Sequence, residues 1–183
     1  DIDSIVQAAA ELKDHKDIHF LMIGDGRRRP KAQQRADQLQ LRNMTWLPFQ
    51  PKESLSDSLS CCHLALISQR EGLKGVAVPC KLYGILASGR GILAMVPDGS
   101  EIDLVVREEE CGRTLSPGDI GGLVSAILEL KENRPLVARM GENAFRAYRQ
   151  KYTLDSAIKK FHDLWSKTAV GNLDGNAHPA GQV

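Results

Sequence analysis

Short apolar runs alternate with amphipathic stretches from one end of the chain to the other. Ile5, Ala8, Ala9 and Leu12 recur at helical spacing, so a helix is expected over residues 3–15. Residues 18–23 (IHFLMI) form a continuous apolar run that stops at Gly24-Asp25-Gly26, the signature of a buried strand. The pattern then predicts a polar helix over 28–41, a strand over 44–47 closed by Pro48 and Pro51, a helix over 52–62 and a strand over 63–68. A helix over 79–88 opens on Pro79 and closes at Gly89, the usual asymmetry of those two residues at helix ends. A strand over 92–96, a short helix over 101–107, a short strand over 113–115 and helices over 120–130, 134–151 and 153–167 complete the series.

Strand-then-helix units with fully apolar strands call for a parallel sheet covered on both faces. The expected fold class is therefore α/β, a doubly wound (Rossmann-like) parallel sheet. Such a half-sheet starts with a strand, whereas this chain opens inside a helix and without Met. We therefore expect the chain to be a piece of a longer protein, its first strand lying ahead of Asp1. Residues 1–167 are expected to form one domain; residues 168–183 (TAVGNLDGNAHPAGQV) lack periodicity and are expected to be disordered. Tyr83, Leu86 and Trp165 read as core residues.

Composition narrows the function. The 183 residues carry 24 Lys and Arg against 23 Asp and Glu, a net charge of +1, which gives no reason to expect a nucleic-acid surface. No apolar run reaches the ~18 residues of a membrane span. The four cysteines, Cys61, Cys62, Cys80 and Cys111, have neither metal-ligand spacing nor the layout of a secreted disulfide framework, so a reducing cytosol is expected. The five histidines build no nucleophilic triad and no metal site, and none is expected.

In a doubly wound sheet, ligands sit beyond the carboxyl ends of the strands. Gly24-Asp25-Gly26-Arg27 is one such junction, with small residues that let a ligand approach the backbone. The dinucleotide fingerprint is incomplete, because Arg29 stands where its third glycine belongs. A tight turn without ligand remains an open reading. Arg27, Arg28, Arg29 and Lys31 oppose the macrodipole of the helix they open, which an anion bound there would relieve; a solvated surface turn is the alternative. Residues 68–91 (SQREGLKGVAVPCKLYGILASGRG) hold a long glycine-bearing loop before the helix opening at Pro79. Amides at Cys80, Lys81 and Leu82 could hold a diphosphate, with Lys81 as a countercharge; a plain loop and helix with Lys81 in solvent is the alternative. In Leu47-Pro48-Phe49-Gln50-Pro51, a rigidly held aromatic could pack on a base while Gln50 hydrogen-bonds it, or Phe49 could simply cap the sheet edge. At Asp98-Gly99-Ser100-Glu101, Ser100 could equally be only an N-cap.

Taken in order, these motifs resemble the C-terminal donor-binding domain of family 4 GT-B glycosyltransferases, in particular bacterial enzymes that assemble colanic-acid-like and other surface polysaccharides. The resemblance runs from about Asp1 to Trp165. It rests on FLMIGDG (20–26), NMTWLPFQ (43–50), VPCKLYGILASGR (78–90), DGSEI (98–102), CG (111–112) and MGENA (140–144). It implies a retaining transferase whose substrate is a nucleotide sugar, commonly UDP-linked, with no cofactor and no obligatory metal. The acceptor would be a glycan or a lipid-linked sugar. It also implies that Phe49 and Gln50 meet the base, that Gly24 to Gly26 with Arg27 lie beside the diphosphate, and that amides from Pro79 through Leu82 hold it.

This sequence departs from the family pattern in two places. Many members carry two glutamates eight positions apart, where this chain has Val76 and Gly84, and the common P-S-K is here P-C-K with Cys80. Glu71 is a candidate for sugar contact, and no catalytic residue is assigned. The implied partners are the nucleotide sugar and an N-terminal acceptor domain, with any membrane contact through that other half. The fragment alone is expected to be inactive and the parent cytoplasmic or peripheral on the inner membrane face. A non-catalytic nucleotide-sugar-binding scaffold and a UDP-sugar epimerase on the same fold stay open as alternatives.

Overall fold

The computed structural model describes residues 1–72 and 80–171, with side chains to residue 166. Five strands alternate with helices: α1 (Ile2–Glu11), β1 (Phe20–Ile23), α2 (Arg29–Gln38), β2 (Met44–Leu47), α3 (Leu55–Ser60), β3 (Leu64–Ser68), α4 (Lys81–Ala87), β4 (Gly91–Met95), α5 (Glu101–Glu108), β5 (Gly112–Leu115), α6 (Ile120–Glu132), α7 (Arg134–Ala147) and α8 (Leu154–Gly171). A 3₁₀ turn (Lys52–Ser54) leads into α3, and a π-helical turn (Tyr148–Tyr152) follows α7. Every ladder is parallel, as the apolar strands required. β1 pairs with β2 (Phe20 opposite Met44), β3 with β4 (Leu64 opposite Gly91) and β4 with β5 (Ile92 opposite Gly112). Among the described residues no ladder joins β1 to β3. In the doubly wound order 3-2-1-4-5-6, β2 and β1 take the places of one wing and β3, β4 and β5 those of the other.

Side-chain alternation along the strands sorts the core into layers. Ile92 and Ala94 of β4, which is buried throughout, and Val96 just beyond it lie in one cluster with Leu82, Ile85 and Leu86 of α4 and Ile102, Val105 and Val106 of α5. Leu93 and Met95 point the other way, against Ala8 of α1, Leu123, Ala126 and Leu130 of α6, and Met140 of α7. A third cluster packs Ile5, Val6, Ala9 and Leu12 of α1 and Ala32 and Ala36 of α2 onto Phe20 and Met44. At roughly 25 cal/mol per Å² of apolar surface, these two helix-covered faces dominate the folding free energy.

Helix ends are fixed by side chains and by glycine. Ser100 Oγ accepts from the Asp103 amide (3.3 Å) while Asp103 Oδ2 accepts from the Gly99 amide (2.8 Å), a reciprocal cap on α5. The Asp98–Glu101 junction is thus a structural helix start, and Asp98 is further engaged by Arg107 (3.1 Å). Asp119 and Asn133 cap α6 and α7 with one bond each, accepting from the amides of Gly122 and Leu136. Gly89, at φ +63°, ends α4 as its position after the helix predicted.

Two expectations change. Trp165 is not a core residue: it is 77% exposed, on a face of α8 that also exposes Leu154, Ile158, Phe161 and Leu164. Helical spacing identifies an apolar face but not what covers it. Leu86 is fully buried as expected, and Tyr83 is half-buried, its ring 5.4 Å from that of Tyr152. Second, α8 continues to Gly171, four residues past the domain boundary read at Lys167; residues 172–183 lie outside the described residues.

Candidate functional site

Parallel strands deliver all their carboxyl ends to one edge, and the expected site residues collect there. β1 ends into Gly24, whose φ of +113° is reached at little cost only by glycine. Its amide extends the β1–β2 ladder one step, donating to the Leu47 carbonyl (3.1 Å). β2 ends into Pro48-Phe49, and the Phe49 ring swings back over the turn. A methyl group on Gly24 would lie 3.2 Å from Phe49 Cε1. Two motifs twenty-five residues apart are therefore one surface: an open backbone turn beneath an aromatic ring that is 74% exposed. That ring does not cap a closed sheet edge, since most of it faces solvent.

The remaining residues of this turn divide sharply. Asp25 Oδ1 accepts from the Gly26 amide (2.7 Å) and so shapes the turn. Arg27 is exposed and makes no ion pair among the described residues. Arg29 is half-buried and its Nη1 is turned inward, donating to the carbonyls of Gly24 and Leu47 (2.9 Å for the latter). The Gln50 side chain turns back to donate to the Pro48 carbonyl (3.0 Å), so contact with a base would require it to leave that bond.

Across the edge, β3 ends at Ser68 and α4 begins at Lys81, with Cys80 as its N-cap. The first-turn amides of α4 have no partner within the helix. Leu82 is fully buried in the core and can offer only its amide, while Cys80 is exposed and its thiol makes no cap bond. Glu71 is exposed beside Gly72 (φ +81°). Pro79, like Val76 and Val78, lies outside the described residues. At Gly84 a Cβ would stand 3.1 Å from Leu59 Cδ1, so this position faces α3 closely.

Positive charge gathers between the two halves of the edge. Asp3 at the head of α1 pairs with both Arg28 (3.5 Å) and Arg70 (3.7 Å), residues from opposite wings. The backbone nitrogen of Asp1 donates to Ser68 Oγ (3.0 Å), and Arg70 and Lys81 both lie close enough to act on it electrostatically. Exposed pairs of this length are weak, so Arg28 and Arg70 are readily diverted to a stronger anion. Sequence reasoning passed over Arg70 and Asp3. Nothing local marks a pair separated by 67 residues, and only the approach of α1 to the end of β3 creates it. A second recess, a groove of about 410 Å³ along α1 and α2, is lined by Asp3, Gln7, Lys31, Gln34 and Arg35 and includes neither the Gly24 turn nor Phe49.

Comparison with known proteins bears on the family and the fold. Residues 1–147 match the family model described as glycosyl transferases group 1. WbjE of Pseudomonas aeruginosa, a probable glycosyltransferase by name, is 30% identical over 131 residues, covering 72% of this chain and 32% of that protein. WcaI of Escherichia coli K12, named as a glycosyl transferase of colanic acid biosynthesis, is 32% identical over 88 residues, covering 48% of this chain and 21% of that protein. The chain thus spans a third or less of the length of these curated relatives. Among solved structures, HepE of Anabaena in complex with UDP-glucose superposes with a TM-score of 0.73 at 16% identity, over 90% of this chain and 44% of that one. By this family match and its parallel α/β architecture, the chain belongs to the glycosyl transferases group 1 family and has the Rossmann-like fold of GT-B enzymes.

Proposed function

We propose that this chain is the donor-binding domain of a retaining glycosyltransferase that takes a UDP-linked sugar and serves surface-polysaccharide synthesis in the cytoplasm. The observation that carries this reading is the pairing of the Gly24 turn with the exposed Phe49 ring, at the sheet edge where Arg28, Arg70 and Lys81 also gather. The ring offers a face for the base. The open turn lets the diphosphate approach the backbone, the head of α4 offers it amides, and the cations balance its charge. Fixed dipoles aimed at a leaving diphosphate stabilise charge that develops as the glycosidic bond breaks, which is this domain's share of catalysis. The UDP-glucose in the HepE complex supports UDP as the nucleotide, and the names of WbjE and WcaI support sugar transfer.

Chemistry also needs an acceptor held opposite the anomeric carbon, and the residues described here supply no second wall for that. Residues 1–183 should therefore bind UDP weakly and turn over no UDP-sugar. A protein that includes a partner domain should form glycoside, and Lys81→Ala in it should lower kcat/KM by roughly tenfold or more, the loss of one charge-assisted contact to the leaving group. Unchanged activity in Lys81→Ala would remove Lys81 from the site. Conversion of UDP-sugar with no acceptor present would favour an epimerase instead.

A further inference from the structure

We propose that Arg29 is a positioning residue: it locks the Gly24 turn to the end of β2 and thereby sets Gly24 and Phe49 at the spacing that accepts a nucleotide. This rests on the reading of that edge as a nucleotide site. Of the consecutive arginines 27–29, only Arg29 is half-buried; Arg27 and Arg28 are exposed. Its Nη1 donates to two carbonyls, those of Gly24 and Leu47, the first residue beyond β1 and the last residue of β2. The Leu47 carbonyl also accepts from the Gly24 amide, so one guanidinium closes a ring of hydrogen bonds around the end of the β1–β2 ladder.

An arginine in the first turn of a helix opposes the helix dipole. No carboxylate pairs with Arg29 among the described residues, and its charge is met by the carbonyl ends of two parallel strands instead. That arrangement holds rigidly the one place where tolerance is small, because Phe49 already sits within 3.2 Å of where a Gly24 methyl would be. Arg29 therefore acts through the backbone, not on phosphate. Its loss should weaken binding of the nucleoside as much as binding of the nucleotide.

The test uses the isotope-labelled chain with uridine and UDP as probes. Without ligand, Arg29→Ala should lose the nuclear Overhauser contact between Gly24 and the Phe49 ring and most of the exchange protection of the Gly24 amide, while Ile92 to Met95 stay protected. The Kd values for uridine and for UDP should then rise by the same factor, about tenfold. Unchanged contact and protection at Gly24 would overturn the proposal. So would a loss confined to UDP, which would make Arg29 a phosphate ligand. If Arg29→Ala loses protection in β4 as well, Arg29→Lys replaces it; a smaller loss, about threefold and equal for both probes, is expected, because an ammonium can still donate to both carbonyls but sits on a more flexible stem. A loss in Arg29→Lys confined to UDP, or no loss for either probe, overturns the proposal. A wild-type chain that binds neither probe refutes the nucleotide reading and the proposal with it, and this shows before any substitution is made.

Discussion

Four thiols occupy three environments, and one borders the site. Cys61 and Cys80 are exposed, Cys62 is half-buried, and Cys111 is fully buried. Burial pushes the Cys111 thiol up to about 11, and burial together with Cys61 raises that of Cys62. Iodoacetamide at pH 8 should modify Cys61 and Cys80 in the native chain, Cys62 more slowly, and Cys111 only on unfolding. If the head of α4 holds the diphosphate, UDP should slow modification of Cys80 and leave Cys61 unaffected. Equal protection at both, or none at Cys80, would argue against that placement.

Asp103 is the residue on which acid stability should turn. Burial alone would raise its pKa. The Gly99 amide, Thr114 and Arg107 (2.7 Å from Oδ1) outweigh that and hold it below the usual carboxylate value. A carboxylate whose pKa is depressed by folding stabilises the native state above its unfolded pKa of about 3.9, and that contribution is lost as pH falls through the lower native value. Asp103→Ala should cost about 1–3 kcal/mol at pH 7 by chemical denaturation, since it strips the Gly99 amide and Arg107 of a nearly buried acceptor. The difference from wild type should shrink below about pH 4. A constant difference down to pH 3 would show that the charge contributes nothing.

At the scale of elements, glycines decide how closely backbones approach. A Cβ on Gly112 would fall 2.0 Å from the Ile92 carbonyl oxygen, and one on Gly141 would fall 2.3 Å from that of Gly89. Gly112→Ala pushes β5 off β4, and Gly141→Ala pushes α7 off the α4–β4 turn. Each should cost about 1–3 kcal/mol or more, because the obstructing atom is backbone and cannot rotate away. Gly121, in α6, has open space around its Cβ position, and Gly121→Ala should stabilise by about 0.5–1 kcal/mol. Thermal melts of the three variants read both signs at once. The element sequence itself was legible: β2 falls on the expected residues, β4 is shifted by one, and β5 starts one residue early. The irregular pieces were not. The expected helix over 52–62 breaks into a 3₁₀ turn and α3, and that over 134–151 gives way to a π turn after Ala147. Hydrophobic spacing distinguishes periods of 2 and 3.6, but it does not report a local change of hydrogen-bond partner within a helical stretch.

For the whole molecule, a net charge of +1 conceals a local gathering of cations. The fold brings Arg28, Arg70 and Lys81 from three segments to one edge. Their clustering depends on how α1 and the two wings of the sheet pack, which no local pattern encodes. The sequence does announce the Gly24 turn and the Phe49 loop separately, through glycine and proline. Their meeting follows from the parallel β1–β2 register, which places both beyond the same edge. Trp165 shows the opposite case: its periodicity is correct and its burial is not, because burial belongs to whatever lies against α8.

All of this turns on where a nucleoside diphosphate sits. Titration of the isotope-labelled chain with UDP, followed amide by amide in NMR spectra, reads that directly. Saturable shifts should concentrate at Gly24 to Gly26, at Phe49 and at Cys80 to Leu82. Shifts centred on the groove along α1 and α2, or none that saturate, would contradict it.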